Sequence, residues 1–478
     1  MAHFLSKARV VGSLALVLSV WLLIALPVSS QVTVLTVGPS GTYATIQGAI
    51  DAVVNGADTE IRVEENLTYS ENLSVPGTFD SGSLEILGGW DATFASRDPD
   101  PEHTVIDGGG FVSVLDIGIA GGSILVDGFT ITNGAGTGAG INAAPLSESD
   151  ATIVIRNNHI VENYGVTFPT ARGGGILVEP RGTQRLEIVD CLIYGNIADS
   201  WSDGKALGGG ILIESRDSST FLIENCEIVE NSAQSDGGQR HGGGVHLRTS
   251  DSSKGILRDS FIFGNSILGT GTSKGSGGFL EIQSSATMEV VRTGWAANTV
   301  DAGDTTPQLV TNSWVGTNSF RLTDSGIALG DDGGLAVTAA SSATVHLVNL
   351  TVADNPATGI LATQEDTSTL AIYNTIAFRN GTDLATSGTV DAGSNLIGTD
   401  PLFVDGVSLE DRYYLRPGSP AENAGDNNPP GGLGTTDLDG RPRIIDGIVD
   451  IGMYEGIIVV FVDGFETGDT TSWTSATP

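Results

Sequence analysis

The sequence has little positive charge and little cysteine. It contains 22 lysines and arginines against 57 aspartates and glutamates, a net charge of −35. Because phosphate binding needs clustered Lys and Arg, this balance argues strongly against a nucleic-acid partner and also disfavours adsorption to anionic lipid. The two cysteines, Cys191 and Cys226, are 35 residues apart. We expect them to be neighbours on adjacent strands, where they could form a disulfide or pack as small apolar residues.

The chain also lacks the paired amphipathic patterns, each about 10–15 residues long, that a helical solenoid needs. It has instead three glycine triplets, 35 and 34 residues apart, each followed by a short run of aliphatic residues: Gly173–Gly175, Gly208–Gly210 and Gly242–Gly244. A fixed period of this length is typical of stacked repeats. Propeller blades are usually about 40–50 residues long, whereas two later repeats end only 25 residues apart, at Asn355 and Asn380. We therefore predict an all-β fold, a single-stranded right-handed parallel β-helix.

Polar residues recur at fixed places in these repeats. One column contains Asp127, Asn157, Asp190, Asn225 and Asp259, is broken at Arg292, and resumes at Asn349 and Asn374. Six residues after this column, the repeats end in Asn163, Asn196, Asn231, Asn265 and Asn298. Identical polar residues at one turn position predict hydrogen-bonded ladders. We expect the terminal Asn of each repeat to adopt the left-handed turn conformation that Asn tolerates.

The pattern of the whole chain predicts five segments. Lys7 and Arg9, an apolar run and Val28-Ser29-Ser30 are typical of a secretory signal peptide cut before Gln31, with an uncleaved membrane anchor as the alternative. An amphipathic helix over 43–53 would cover the open end of the solenoid, and the regular repeats would be interrupted over 301–345. The predicted segments are a signal peptide at 1–30, a strand-helix-strand cap at 31–64, the β-helix at 65–399, a C-terminal cap at 400–456 and a tail at 457–478.

Two motifs resemble known families. The series Tyr414–Ala421, Asp437–Arg443 and Asp446–Glu455, with the opening Thr45–Ala52, resembles choice-of-anchor Q proteins of the pectin-lyase-like superfamily. Met453 stands where those proteins often have Ala. The ending Asp463–Asp469 is similar to the short Asp-Gly-Phe-Glu-x-Gly-Asp tails of Gram-negative secreted proteins. These resemblances imply a β-helix that is secreted or displayed on a bacterial surface, and they carry no defined activity.

Catalytic signatures are sparse. Asp331 and Asp332 follow Gly330, as in polygalacturonase-like hydrolases, where paired carboxylates act as acid and base. The companion motifs Asn-Thr-Asp, Gly-His-Gly and Arg-Ile-Lys are missing, and Asp-Asp-Gly-Gly is also a common turn. Asp331 and Asp332 are therefore weak candidates, and we expect no turnover on pectin, polygalacturonate or alginate.

No motif predicts a metal or a cofactor. His241 and His246 lie on either side of a glycine triplet without a third ligand nearby in sequence, so we interpret them as solvated loop or strand positions. Residues Asp437–Gly440 begin like a calcium loop, but Arg441 stands where a third oxygen ligand would belong. Calcium therefore stays a weak candidate.

Exposed aromatic rings on inserted loops are the usual platform for sugars. The candidates in or near such loops are Tyr164, Trp201, Trp295 and Trp314. We therefore interpret the chain as a non-catalytic module that binds polysaccharide or another cell-surface partner. The alternative is a polysaccharide lyase or glycoside hydrolase with a divergent site, which would gather Asp, Arg and Lys on one face beneath a loop-walled groove.

Overall fold

Short alternating runs of apolar and polar residues form stacked parallel strands in the computed structural model, which describes residues 32–144, 150–301, 304–404 and 412–456. The predicted signal peptide and the tail lie outside the described residues. The largest sheet has 23 strands and contains two ladders, which meet at a bend in the coils after the first one.

The first ladder of this sheet contains Thr33–Val37, Thr59–Glu64, Ser83–Trp90, Ser123–Asp127, Thr152–Arg156, Arg185–Val189, Thr220–Glu224, Lys254–Phe263, Thr287–Ala296, Ser319–Thr323, Thr344–Val348, Thr369–Tyr373 and Asp391–Gly393. The second ladder contains Leu67–Ser70, Thr104–Asp107, Thr130–Thr132, His159–Val161, Leu192–Tyr194, Glu227–Val229, the second halves of Lys254–Phe263 and Thr287–Ala296, Gly326–Ala328, Thr351–Ala353, Ile376–Phe378 and Leu396–Ile397.

An 11-stranded sheet closes the coils between the first and the last, and a seven-stranded side sheet is built from the inserted loops. The third ladder contains Leu73–Val75, Leu115–Ile117, Ile141–Ala143, Ile176–Val178, Ile211–Ser215, Val245–Thr249, Gly278–Ser284, Leu309–Gly316, Leu335–Ala339, Thr358–Gln364 and Thr382–Ser387. The side sheet contains Tyr164–Val166, Thr170–Arg172, Ile197–Ser200, Lys205–Leu207, Ser232–His241, Ser266–Lys274 and Thr299–Val300.

Inward-pointing aliphatic residues of successive coils form one continuous core. Ile188 pairs in register with Ile223, which pairs with Leu257, and all three are fully buried. Each strand alone exposes an apolar face, and stacking removes that face from water at ~4.8 Å per coil. The predicted right-handed parallel β-helix is thereby confirmed.

A ladder of buried asparagines runs through the turns that follow the second ladder. Asn196 donates from Nδ2 to Oδ1 of Asn231 at 2.9 Å, and Asn231 donates in the same way to Asn265 at 3.0 Å. Each Oδ1 also accepts the backbone N–H of the preceding rung. Our expectation of a left-handed conformation at these asparagines was wrong. The positive φ falls on the residue before, for example 53° at Glu230, because the asparagine side chain has to point into the core.

The outer polar column is a second ladder. Asn225 donates to Asp190 at 2.6 Å, and Arg292 holds both oxygens of Asp259 at 2.6 and 2.7 Å. These four residues share a positive φ of 49° to 55°, and their neighbours pair in register on consecutive coils. The predicted stacking of Asp190, Asn225 and Asp259 is confirmed. Arg292 continues the column rather than breaking it, since its guanidinium reaches the carboxylate one coil away.

Cys191 and Cys226 are direct neighbours, as predicted, because the N–H of Glu227 donates to the carbonyl of Cys191 at 3.0 Å. Both thiols are free and buried. Each Sγ approaches a backbone carbonyl at 3.2 Å, and burial raises the pKa of the Cys191 thiol well above its usual value. Of the two alternatives, the structure contains packed thiols and no disulfide.

Two other expectations need correction. The N-terminal helix is only Ile46–Ile50, started by Thr45 and by the Glu71 carboxylate, which accepts the N–H groups of Ile46 and Gln47. The described residues 304–345 continue the stack, with one ordinary coil formed by Leu309–Gly316, Ser319–Thr323 and Gly326–Ala328. In this coil, Gln308 replaces the ladder asparagine and bonds to Asn298 and Asn355.

The C-terminal segment folds back along the β-helix and packs on its second ladder. Phe403, Tyr414 and Met453 form an apolar cluster with Ala328 and Ile376. The amide of Met453 donates to Thr351 Oγ1 at 3.1 Å. This segment therefore covers the outer surface of the last coils, and we call its described residues, 400–404 and 412–456, the C-terminal cap.

A buried charge cluster fastens the C-terminal cap. Arg443 of the cap lies 3.0 Å from Asp324 of the β-helix and 3.6 Å from Glu455, and all three side chains are at most 1% exposed. Glu455 also accepts backbone N–H groups from Ile445 and Asp450. Burial raises the pKa of Glu455 to about 7, helped by the charge of Asp450 and opposed by these hydrogen bonds and by Arg443.

Candidate functional site

The glycine triplets turn the chain from the side sheet into the third ladder. The first glycine of each triplet has a φ of +61° to +64°. A Cβ on the middle glycine of the second triplet, Gly209, would lie 2.2 Å from the carbonyl oxygen of Gly243 in the next coil. The left-handed φ of the first glycine is therefore the feature of this bend that favours glycine. The bend places the side sheet as a wall beside the third ladder, which forms the floor.

We call the corner between wall and floor the glycine corner. The wall presents Arg172, Leu207, His241 and Lys274 in register, and the floor presents Leu177, Leu212, His246 and Phe279 in register. Trp314 of the next floor strand, 40% exposed, stands at its end.

His241 and His246 face each other across this corner. Their ring centroids are 5.6 Å apart, and Phe279 lies 4.7 Å from His241 and 5.1 Å from His246. Our interpretation as a solvated position was wrong for His246, which is 3% exposed, whereas His241 is partly exposed at the end of its strand. The glycine triplet that separates them in sequence is what brings their side chains together. The pattern of apolar wall and floor residues contained no signal for this contact.

A row of alternating charges borders the floor. Arg172 pairs with Glu179 at 2.8 Å and also with Glu214, whereas Arg248 lies 3.7 Å from Glu214. His246 Nε2 lies 3.4 Å from Glu281. The corner therefore gathers basic and acidic groups from adjacent coils beneath a wall.

At the glycine corner, the protein environment shifts the pKa values of two glutamates and one histidine away from neutral pH. Burial raises the pKa of Glu281 and of Glu179, but hydrogen bonds and charges from His246 and Arg172, respectively, outweigh it, so both pKa values lie below their usual range. Burial, assisted by His246 and Lys274, lowers the pKa of His241 to about 3. The two glutamates are thus ionised and His241 is neutral at neutral pH.

Lys274 is a partly exposed cation of the corner. Its ammonium lies 4.9 Å from the Phe279 ring centroid and 5.6 Å from the Trp314 ring centroid. Within the part of the chain that the structure describes, it has no ion-pair partner. A cation held over two rings, beside an exposed indole, offers both a charge and a stacking face to a ligand.

The aromatic candidates divide into exposed and buried rings. Tyr164 and Trp201 lie on or next to the side sheet and are 45% and 67% exposed, and Tyr164 donates to Asp199 at 2.6 Å. Trp295, in contrast, is 1% exposed, and its Nε1 donates to Thr293 inside the core. Trp295 therefore has no face to offer a sugar. Trp295 is in register with the buried Ile262 of the preceding coil, and this position in the strand already indicates that its side chain points into the core.

Asp331 and Asp332 lie apart from the glycine corner, in the turn before Leu335–Ala339. Asp331 accepts the backbone N–H of Val300 at 3.1 Å. Burial raises the pKa of both carboxyls, and the charges of Asp331 and Asp304 add to the effect at Asp332. The turn thus gives Asp331 a structural partner and surrounds Asp332 with further acids.

Residues 32–144, 150–301, 304–404 and 412–456 contain neither a three-ligand metal cluster nor a membrane-spanning helix. In these ranges no group of three or more His, Cys, Asp or Glu side chains is arranged to hold a metal ion. Nor do they contain a helix with the length and apolarity to cross a bilayer.

The match to a family model supports the fold. Residues 116–291 match the family model described as "Right handed beta helix region". Among solved structures, pectin methylesterase from carrot is similar with 13% sequence identity and a TM-score of 0.31, over 60% of this chain and 82% of that chain. A similarity this low says nothing about activity. No curated protein matches the sequence significantly. The matched region coincides with the regular coils, so residues 116–291 are a right-handed β-helix region in sequence as well as in structure.

Proposed function

We propose that this protein is a non-catalytic glycan-binding β-helix and that the glycine corner binds an anionic sugar. The observation that supports this proposal is the position of Lys274, whose charge is unpaired among the described residues and lies beside the exposed ring of Trp314. A sugar ring stacks on the indole while its carboxylate or sulfate group pairs with the ammonium. In a chain of net charge −35, such a local cation is what an anionic ligand requires.

The same geometry favours binding over catalysis. General acid–base catalysis works best with groups whose pKa lies near the operating pH. At the corner, the pKa values of Glu179, Glu281 and His241 are instead shifted away from neutral pH. The carboxylates of the row are held in ion pairs with arginines or against His246, which fixes the floor as a rigid, charged platform.

The proposal includes export from a bacterial cell, on the strength of the signal-peptide pattern in residues 1–30 and of the tail motif. N-terminal sequencing of the protein recovered from the medium or cell surface should then begin at Gln31. Recovery of the chain in the cytoplasm with an intact N-terminus would contradict export.

We expect the variants Lys274→Gln and Trp314→Ala each to weaken binding of polygalacturonate or alginate by roughly tenfold, about 1.4 kcal/mol. The first removes the charge and the second the stacking face. Binding is measured by isothermal titration calorimetry or affinity electrophoresis, and it should weaken as salt is raised.

Matched control variants are Lys254→Gln and Phe111→Ala. Lys254 is an exposed lysine of the first ladder, and Phe111 is 84% exposed on an early coil. Both should bind like the wild type. Equal losses in the control variants, or tighter binding of a neutral β-glucan than of the anionic polymers, would refute the assignment of the glycine corner.

We also expect no depolymerisation of pectin, polygalacturonate or alginate, with or without calcium. Absorbance of unsaturated products and reducing-end assays would detect lyase and hydrolase activity. Calcium-dependent turnover that is lost in the Asp331→Ala/Asp332→Ala double variant would overturn the non-catalytic proposal and favour the divergent enzyme.

A further inference from the structure

A second concave surface lies between the outer face of the second ladder and the C-terminal cap. It has a volume of about 720 Å3. Its floor includes Leu192, Phe261, Gly294 and Gly326, one from each of four coils, and Tyr454 lines the cap side. We call this surface the cap groove.

The floor of the cap groove is apolar and flat. The Phe261 ring lies across Gly294, where a Cβ would be 2.5 Å from its Cδ2. Phe263 on the same strand stacks beside Phe261, with centroids 5.7 Å apart and planes inclined by 13°. Because residue 294 in the next coil is a glycine, the Phe261 ring can pack flat against the sheet.

Most hydrogen-bonding groups around this floor already have partners inside the protein. Asp190 accepts from Asn225, and both oxygens of Asp259 are held by Arg292. On the cap side, the Tyr414 hydroxyl donates to Asp439. A sugar needs many free hydrogen-bond donors and acceptors, and few are available here. Binding of an apolar side chain is favoured instead, because it removes the apolar floor from water.

The rim carries negative charge that the ligand has to neutralise. Asp190, Asp259 and Asp439 line the groove. Arg292 pairs with Asp259, and Arg441 lies 3.3 Å from Asp439, so among the described residues Asp190 is the aspartate of this rim that has no ion pair. Glu227 adds an exposed carboxylate, which has no ion pair or side-chain hydrogen bond with the described part of the chain. An apolar floor with an acidic rim is complementary to a segment that combines apolar and basic side chains.

The length of the cap groove suits an extended chain. Its lining runs from the coil of His159 to that of Thr351, through the coils of Leu192, Glu227, Phe261, Gly294 and Gly326. Six steps of ~4.8 Å span about 29 Å. At ~3.3 Å per residue, an extended peptide of about nine residues fills that length.

We infer that the cap groove is a docking site for an extended peptide segment of another protein, with apolar residues on the floor and lysines or arginines against the rim. This site is separate from the glycine corner and goes beyond glycan binding. The C-terminal cap supplies one wall, so the site exists only when the cap is docked on the β-helix.

Phage-displayed random dodecapeptides, selected on the full chain, test this inference. We expect enriched peptides that combine apolar residues with at least two lysines or arginines. As labelled peptides in fluorescence polarisation, they should bind at least fivefold more weakly to Phe261→Ala and to Glu227→Gln. Binding should be unchanged in Glu289→Gln, an exposed acid on the first ladder, and in Lys274→Gln, which tests the glycine corner alone.

Several outcomes would overturn the inference. They are the absence of enriched peptides, enrichment that ignores Phe261, and displacement of the peptides by neutral oligosaccharides, which would make the groove a sugar site. Binding seen only after deletion of residues 457–478 would mean that the chain's own C-terminal segment fills the groove. Circular dichroism of Phe261→Ala distinguishes loss of the site from loss of the fold.

Discussion

Replacing Arg443 by methionine should release the C-terminal cap from the β-helix. Arg443 is the buried cation between Asp324 and Glu455, and all three side chains are at most 1% exposed. Removing one partner of a buried ion pair leaves an uncompensated charge and costs about 3–5 kcal/mol. Hydrogen exchange followed by mass spectrometry should show much faster exchange of residues 412–456, with little change in the coils between 116 and 291.

A second buried arginine provides the matched control. Arg240 is 0% exposed and pairs with Asp304 at 2.7 Å, but it lies in the side sheet. Arg240→Met should accelerate exchange in the side sheet and leave the cap unchanged. Slow exchange of the cap in Arg443→Met would contradict the role of the charge cluster.

The same cluster makes the stability of the cap depend on pH through Glu455. Its pKa is raised from 4.5 to about 7 in the folded protein, so the unfolded chain releases this proton at lower pH than the folded one. Folding therefore loses stability as pH rises from about 4.5 to 7, and the effect is complete above that range. The loss of stability that corresponds to this pKa shift is at most about 3 kcal/mol.

The variant Glu455→Gln, which cannot ionise, should remove this dependence. Relative to wild type, its cap should gain stability between about pH 5 and pH 8. Identical pH profiles of hydrogen exchange in the two proteins would show that Glu455 is ionised throughout, held so by Arg443 and by its two backbone donors.

Replacing Asn231 by alanine should destabilise the middle of the β-helix by about 2–5 kcal/mol. Its Oδ1 accepts the backbone N–H and the Nδ2 of Asn196, and its Nδ2 donates to Asn265 and to the carbonyl of Ile193. Asn231 is fully buried, so alanine leaves the N–H of Asn196 without a partner in the core. Urea denaturation, followed by intrinsic tryptophan fluorescence, measures the loss.

Asn142→Ala is the matched control for this variant. Asn142 makes one exposed hydrogen bond, to Asp116 at 3.1 Å, and its loss should cost under about 1 kcal/mol. A similar midpoint for both variants would show that the ladder adds no more than an ordinary surface hydrogen bond.

The repeat made the ladders predictable. Asp190, Asn225 and Asp259 stand at one place in successive periods, and stacking alone brings them into register. The continuation through Gln308 was not predictable. In the coil where Gly330 stands at the ladder position, Gln308 accepts from Asn298 at 3.0 Å and donates to Asn355 at 2.9 Å. Gln308 lies directly before the strand Leu309–Gly316, outside the turn that supplies the other rungs. A residue that breaks the period gives no sequence signal for the rung that it replaces.

The sequence by itself determined the period, the parallel stacking and the neighbouring cysteines, because each depends on residues at equal spacing, and equal spacing becomes contact when coils repeat. The tertiary structure alone decided the two surfaces proposed as binding sites. The glycine corner depends on the angle at which a triplet turns the wall toward the floor, which sets the 5.6 Å between His241 and His246. The cap groove depends on a segment more than 100 residues away from Asp324 in sequence folding back until Arg443 reaches it. Angles of bends and contacts between segments outside the repeat are set by packing of the whole chain, and no local pattern encodes them.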